Sequence, residues 1–257
     1  MTALVDPVEL RDHVRDVYRD VAREPGGDFH FETGRALAER LGYPPGWLDQ
    51  VPAGALASFA GVGHMLDLAA IQPRERVLDL GSGSGTDAFV AGTLTGAGGR
   101  VLGVDMTDAQ LHKARRMRDD LGITHVTFVE GLIEAPPVDP ASFDVVISNG
   151  VVNLAPDKRE VFRAVARALR PGGRLALADI VSGRELITLT RRNAELWAAC
   201  IAGAVPYAEY QAAIEAAGLV IERIRPNPAF RFRSPRAQAA ADKYGVASLT
   251  VLATKPR

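Results

Sequence analysis

Two carboxylates and three glycines near the middle of the chain have the types and spacing of a ligand-binding site. An apolar run typical of a β-strand contains Asp79 and leads into Gly81, Gly83 and Gly85. Because glycine has no Cβ, the backbone of this turn can approach a ligand closely. A second apolar run ends at Asp105, where a carboxylate can accept hydrogen bonds from a ribose diol. The spacing predicts a cofactor that contains a nucleoside.

Two kinds of nucleoside-containing cofactor must be considered for this pattern, a dinucleotide and S-adenosylmethionine. Dinucleotides usually bind to G-x-G-x-x-G, whereas this chain reads G-x-G-x-G from Gly81 to Gly85. A carboxylate at Asp79 would repel a pyrophosphate and attract a cationic amino group. S-adenosylmethionine (SAM) has an amino group, a sulfonium and a ribose but no phosphate. The residues therefore favour SAM, with S-adenosylhomocysteine (SAH) as product, and leave an NAD-linked oxidoreductase as the outside alternative.

Composition limits the other classes of function. The chain has 257 residues, 47% hydrophobic and 24% charged, with a net charge of -1. That balance gives no electrostatic basis for binding nucleic acid, and no apolar run is long enough for a membrane span. The single cysteine, Cys200, excludes an internal disulfide and a multi-cysteine metal site. We expect a cytoplasmic protein without a resident metal; the sequence leaves its oligomeric state open.

Strand and helix patterns alternate from residue 76 onward, which predicts a parallel sheet covered on both faces. The fold class is α/β, a doubly wound Rossmann-like sheet. A capping box is expected at Thr107–Gln110, at the start of a helix near 107–121. Other helices are expected near 86–95 and 157–169, and strands near 76–80, 100–104, 125–129, 143–148 and 173–180.

Segments on either side complete the predicted organisation. Residues 1–70 form an N-terminal helical lid or substrate segment, and residues 71–182 form the SAM-binding core. Residues 183–257 belong to the same domain and add helices near 187–202 and 206–217, then edge strands near 219–225 and 246–254, antiparallel in part. Ligands bind beyond the carboxyl ends of the strands in such sheets. The expected site therefore gathers residues 79–85, 105–106, 131–134, 148–153 and 179–180.

Several motifs resemble those of class I SAM-dependent methyltransferases. They are the runs 77–85, 101–107, 130–134, 143–149 and 169–174. The segment 147–158, together with 103–107, 200–204, 41–43 and 51–52, is similar to bacterial arsenite methyltransferases. That finer resemblance spans most of the chain.

The chain departs from that family at its metalloid ligands. Arsenite methyltransferases bind As(III), a soft centre, through several cysteine thiolates. The family reads roughly Gly-Cys-Gly-Asn where this chain has Gly61-Val62-Gly63-His64, and its upstream cysteine-rich segment aligns with residues 28–33. Only Cys200 remains, and a lone thiol cannot hold arsenite as a bis- or tris-thiolate. We expect the fold and cofactor to carry over and arsenite activity to be lost.

The resemblance and the strand ends together imply a role for each cofactor residue. The turn from Gly81 to Gly85, including Ser82 and Gly83, wraps the methionyl part of SAM. Asp79 contacts its amino group, and the backbone carbonyl of Asn149 meets the same moiety. At the nucleoside end, the predicted contacts are Asp105 with both ribose hydroxyls, Met106 on one face of the adenine, and Ile133 and Glu134 at the border of the ring.

Methyl transfer needs chiefly an aligned nucleophile and exclusion of water, because the sulfonium is already a good leaving group. A base is needed only where the nucleophile carries a proton of high pKa. His30 and His64 are the candidate catalytic residues, because histidine titrates near neutrality. Phe29, Glu32, Trp197 and Cys200 are the candidate substrate residues.

These observations predict a SAM-dependent methyltransferase that acts on a small, organic acceptor at O, N, C or S. A metalloid methyltransferase of the arsenite type remains an alternative within enzymes. A SAM-binding protein without transfer, acting as a sensor or scaffold, is an alternative of another class.

Overall fold

A computed structural model describes residues 6–29, 31–186, 202–233 and 235–257 of the chain. The described residues form a seven-stranded sheet with the order β3-β2-β1-β4-β5-β7-β6. Strands β1 to β5 are parallel, and β7 runs antiparallel to both β5 and β6. The strands are β1 (Arg76–Leu80), β2 (Arg100–Asp105), β3 (Val126–Glu130), β4 (Phe143–Asn149), β5 (Leu169–Val181), β6 (Val220–Pro226) and β7 (Ala247–Thr254).

Helices cover both faces of this sheet, as expected for buried parallel strands. They are α1 (Pro7–Arg23), α2 (Arg35–Arg40), α3 (Pro45–Leu48), α4 (Ala53–Ala57), α5 (Leu66–Ala69), α6 (Thr86–Thr95), α7 (Asp108–Asp120), α8 (Lys158–Ala168), α9 (Tyr207–Ala216) and α10 (Pro235–Tyr244). A short 3-10 helix spans Val152–Leu154. None of the helices in the described ranges is long and apolar enough to cross a membrane.

The strand order changes direction between β1 and β4, and that reversal opens the site. From β1 the chain builds outward to β2 and β3, then returns to place β4 and β5 on the other side. The connections on the two sides leave the sheet in opposite directions, so a crevice forms at the carboxyl ends of β1 and β4. The α/β, doubly wound, Rossmann-like fold predicted from the sequence is confirmed.

Two local predictions need correction. The capping box at Thr107 is wrong: the Thr107 side chain makes no cap hydrogen bond. The Gln110 side chain instead donates to the carbonyl of Tyr18 at 2.8 Å and meets the Ser84 hydroxyl. Strand β5 begins at Leu169 rather than near residue 173, because Leu169 already pairs with Phe143. In both cases the observed structure depends on contacts with residues far away in the sequence.

The C-terminal elements continue the central sheet. The predicted helix at 206–217 and both edge strands are present, and the antiparallel pairing of β7 is confirmed. The predicted helix near 187–202 lies almost wholly outside the described residues. The division into segments 1–70, 71–182 and 183–257 stays a prediction.

Candidate functional site

A cavity lies at the carboxyl ends of β1, β2 and β4, beneath α1. Its empty space is about 990 Å³, a volume that includes the part open to solvent. One side is the glycine turn after β1, and the far side is formed by α1 residues that include Arg11, Val14 and Tyr18. The predicted site and the observed cavity therefore coincide in position.

The turn after β1 has a backbone that demands glycine. Gly81, Gly83 and Gly85 have φ angles of 74°, 53° and 96°, in the left-handed region. A Cβ on Gly81 would overlap Val151, and one on Gly85 would lie 2.7 Å from Phe128. Space remains beside Gly83, where the nearest atom to an added Cβ is 3.9 Å away. Ser82 also lines the cavity here.

Asp79 presents an unused carboxylate oxygen at the cavity. Its side chain is buried, and Oδ2 has no hydrogen-bond partner among the described residues. Burial raises the pKa of Asp79 well above its usual range, and the negative charges of Asp87 and Asp105 raise it further. A buried acceptor in a negative environment is suited to a cation. The amino group predicted to bind here has that charge.

Asp87 is another buried carboxylate at the cavity, and it was not predicted from the sequence. Tyr43 donates to its Oδ1 at 2.5 Å, and the Asn149 amide donates to its Oδ2 at 3.1 Å. Burial raises the pKa of Asp87 to about 6, and those two hydrogen bonds limit the rise. A sequence signal existed: Asp87 is a carboxylate in the first turn of α6, an otherwise uncharged helix directly after the glycine turn.

The Asn149 side chain ties an upstream segment to the end of β4. Its Oδ1 accepts from the Val62 amide at 2.9 Å, and its Nδ2 donates to the Gly63 carbonyl at 3.0 Å. The side chain is thereby committed to structure. A cofactor contact through the Asn149 backbone carbonyl stays a prediction, as it was from the sequence.

The nucleoside end of the cavity is built around Asp105. Its carboxylate accepts from the Thr107 amide at 2.8 Å and from the Gly83 amide at 2.9 Å. Burial raises the pKa of Asp105, and these amides oppose the rise. A carboxylate accepts several hydrogen bonds at once, which is the property that the predicted ribose contact requires. Met106 and Ile133 also line this end, as the predicted roles require.

Helix α1 closes the nucleoside end through charged contacts that the sequence did not reveal. Arg11 forms an ion pair of 3.0 Å with Glu134, and Arg15 donates to the carbonyl of Met106 at 3.3 Å. Glu134 therefore stands at the cavity edge with one oxygen engaged by α1. Nothing in the spacing of α1 residues says which loop the helix covers, so these partners had no sequence signal.

His64 is not among the described residues that line the cavity, and its catalytic role stays a prediction. Its ring packs against Tyr43 at 4.5 Å and Trp47 at 5.8 Å between centroids. Burial lowers the pKa of His64, although Asp67 with its carboxylate 3.9 Å away partly compensates. Asp87 lines the cavity, Tyr43 donates to Asp87, and His64 packs on Tyr43. His64 is therefore separated from the cavity by these two side chains.

The candidate substrate residues fall into two groups. Glu32 lines a smaller pocket that adjoins the main cavity, and Phe29 stacks on Phe31 at 5.6 Å at its edge. The remaining candidates, His30, Trp197 and Cys200, lie outside the described residues. The roles of all these residues stay predictions.

Comparison with known proteins identifies the family to which this fold and site belong. Residues 71–222 match the family described as a methyltransferase domain. The arsenite methyltransferase of Halobacterium salinarum is 38% identical over 240 residues, which are 88% of this chain and 61% of that protein. The arsenic(III) S-adenosylmethionine methyltransferase of Chlamydomonas reinhardtii has a similar structure, with a TM-score of 0.65 and 30% identity over 87% of this chain and 74% of that chain.

A third protein is similar in fold alone. Geranyl diphosphate methyltransferase, solved in complex with GPP and sinefungin, gives a TM-score of 0.66 over 96% of this chain and 99% of that chain, at 17% identity. The curated relatives are longer than this chain, which spans 61% of the Halobacterium salinarum protein and 51% of the one from Aquipseudomonas alcaligenes.

Fold and site together define a class I SAM-dependent methyltransferase. The chain belongs to the methyltransferase domain family. The family match agrees with the SAM-binding site that the glycine turn and the two carboxylates predicted.

Proposed function

We propose that this enzyme transfers the methyl group of SAM to a small organic acceptor. The observation that carries the proposal is the character of the cavity beside Asn149, where an acceptor would face the methyl group. That side is lined by apolar side chains and backbone: Phe59, Ala60, Gly61, Val151, Leu154, Ala155 and Pro156. Such a wall suits a carbon-based acceptor.

The chain has few ligands for a soft metalloid. It contains one cysteine, and within the described ranges no three His, Cys, Asp or Glu side chains are grouped as a metal site. By the resemblance noted above, Val62 stands where the arsenite family has a cysteine. Its side chain is buried in an apolar cluster with Leu154 and Ala178. A hydrocarbon side chain cannot donate electrons to arsenic.

The residues of the cavity fit SAM by their chemistry. Asp79 has an unused oxygen for the amino group, and the Asp105 carboxylate lines the end of the cavity where the ribose is predicted. SAM, when bound, supplies an electrophilic methyl group: the acceptor's lone pair bonds to the methyl carbon while the C–S bond breaks and leaves its electron pair on sulfur, giving SAH. Asp79 and Asp105 hold the two ends of the cofactor and so fix the direction of attack.

Proton transfer limits the kinds of nucleophile. The described lining of the cavity includes no histidine, and Asp87, whose pKa is raised by burial to about 6, is engaged by Tyr43 and Asn149. The acceptor should therefore attack as a thiolate, a phenolate or an amine, which need no base at the moment of transfer. Any proton is released to solvent.

Arsenite methylation is the second candidate, favoured by the names of the relatives from Halobacterium salinarum and Chlamydomonas reinhardtii. With one cysteine in the chain, this function would require thiols from solution to complete the ligands of arsenic. It is therefore tested with arsenite both alone and with excess glutathione.

The deciding experiment measures SAH formation by mass spectrometry with a panel of thiols, phenols and amines, and with both arsenite mixtures. Release of SAH with an organic acceptor, and none with arsenite, supports the proposal. SAH release that depends on arsenite and yields methylated arsenic would overturn it. Asp79→Asn serves as the control, because it should reduce transfer to every acceptor alike.

A further inference from the structure

The smaller pocket beside the main cavity gathers partly exposed aromatic rings. Its lining includes Tyr18 from α1, Phe31, and Phe230 and Phe232 from the segment after β6. With Phe29, which stacks on Phe31, four of the nine phenylalanines of the chain lie here. All these rings are half-buried rather than in the core. Aromatic rings gathered in one partly exposed pocket offer a surface on which an aromatic ligand can pack.

The rings already show the geometry of a stacking site. Tyr18 and Phe31 lie 5.8 Å apart with planes 16° from parallel, and Phe31 and Phe29 lie 5.6 Å apart with planes 9° from parallel. Phe230 and Phe232 meet edge to face at 5.1 Å. Aromatic ligands prefer these two arrangements. The rings now fill most of the pocket, so a ligand would enter by displacing partly exposed side chains.

This pocket opens toward the methyl side of the cofactor site. Tyr18, Ala60 and Gly61 line both the pocket and the main cavity. Gly61 is so close to the end of β4 that an added Cβ would lie 2.6 Å from Asn149 Nδ2. Ile133, at the predicted adenine end, lines the main cavity but not the smaller pocket. A molecule in the pocket therefore reaches the end where transfer takes place.

One positive charge at the pocket has no carboxylate partner among the described residues. Glu32 is neutralised by Arg40 at 2.6 Å, and Asp28 nearby pairs with Arg233 at 3.4 Å. Arg231, which lines the pocket and is exposed, has no carboxylate partner in the parts of the chain that are described. The net charge offered to a ligand is therefore positive.

From these contacts we infer that the acceptor is a small aromatic monoanion, whose ring lies among Tyr18, Phe31 and Phe232 and whose carboxylate pairs with Arg231. The inference rests on the proposed transfer to an organic acceptor and names the class of that acceptor. The planar guanidinium of arginine matches a carboxylate in a two-bond geometry. The methyl group moves to a nucleophile elsewhere on the same ring system, as written above.

The test compares acids with their neutral amides. Binding of 3,4-dihydroxybenzoate and 3-aminobenzoate, each beside its amide, is measured by calorimetry on the full chain saturated with SAH. Because Arg231 is exposed, at least one acid should bind only about three- to tenfold more tightly than its amide. The preference should shrink as salt is added.

Two variants connect the preference to the pocket. Arg231→Gln should abolish the acid-over-amide preference, whereas Arg223→Gln, which removes an equal charge from exposed β6, should keep it. Phe31→Leu should weaken acid and amide alike by several-fold, because the ring contact is lost and the charge contact stays.

The outcomes separate this inference from the proposed function. Equal binding of acids and amides, no binding of either, or an acid preference that survives Arg231→Gln overturns the inference. Methylation of neutral organic acceptors would then leave the proposed function standing. Methylation of arsenite alone would overturn both.

Discussion

Replacing Asp79 by asparagine should weaken SAM binding while stabilising the ligand-free protein. The amide is nearly the same size, and its oxygen can keep the hydrogen bond from the Ala88 amide. Its NH2 group would then face the cavity, where the unused Oδ2 now points. A donor would thus meet the ammonium of SAM instead of an acceptor.

The size of the effect follows from one lost charge-assisted hydrogen bond. Such a bond contributes about 1.5–3 kcal/mol, or a factor of about 10 to 150 in the dissociation constant. Methylthioadenosine, which has the nucleoside but no amino acid, is the matched ligand. Its affinity should be the same for both proteins, because it never reaches residue 79.

The same substitution should make the ligand-free protein more stable against unfolding. The folded protein holds a proton on Asp79 at pH values where the unfolded chain has lost it, because the pKa of Asp79 is raised. That contribution to stability is present below the ordinary pKa of aspartate and is lost as pH rises through the raised pKa. Asp79→Asn should therefore raise the Tm at about pH 8 and leave it nearly unchanged at about pH 3.5.

Calorimetric titration and thermal unfolding together read out this prediction. A variant that simply misfolds would lose affinity for both ligands and would show a lower Tm. Unchanged SAM affinity, or an equal loss for methylthioadenosine, would refute the assignment of Asp79 to the amino group.

Three further perturbations test other parts of the site. Because the pKa of Asp87 is about 6, SAM affinity should fall as pH drops through that value and the carboxylate loses its charge; calorimetry should show no such fall for methylthioadenosine. Gly81→Ala should reduce both Tm and SAM affinity, because the added Cβ would overlap a neighbouring side chain. Gly96 also has a positive φ, of 64°, but open space around it, so Gly96→Ala should lower the free energy of unfolding by only about 1–2 kcal/mol. Arg11→Gln should speed SAM dissociation in stopped-flow measurements by releasing α1 from the cavity edge, while Arg19→Gln, which breaks an exposed pair on the same helix, should not. Equal rates for the two arginine variants would mean that α1 does not retain the cofactor.

The sequence predicted the parts of this molecule that depend on local chemistry. The glycine turn needs three left-handed residues in a row of five, and glycine supplies them cheaply. The strand ends follow from where apolar runs stop, so Asp79 and Asp105 could be placed at one edge of the sheet. Asp105 then reached the Gly83 amide, as the predicted proximity of the two segments implies.

The remaining features depend on contacts between residues far apart in the chain. Glu134 pairs with Arg11 from 123 residues away, and Asp87 meets Tyr43 from 44 residues away. Gln110 failed as a capping residue because Ser84 and Tyr18 compete for its side chain. No periodicity or spacing reports such pairings, since they are set by how α1 and the loops pack on the finished sheet.

The central proposal is that this cavity holds SAM and that the methyl acceptor is organic rather than arsenite. Its most direct test is calorimetric titration of the purified protein with SAM, SAH and NAD, with the SAM titration repeated in the presence of arsenite and glutathione. We predict micromolar binding of SAM and SAH, no binding of NAD, and a SAM isotherm that arsenite leaves unchanged. Tighter SAM binding with arsenite would contradict the choice of an organic acceptor, and failure to bind SAM would contradict the site itself.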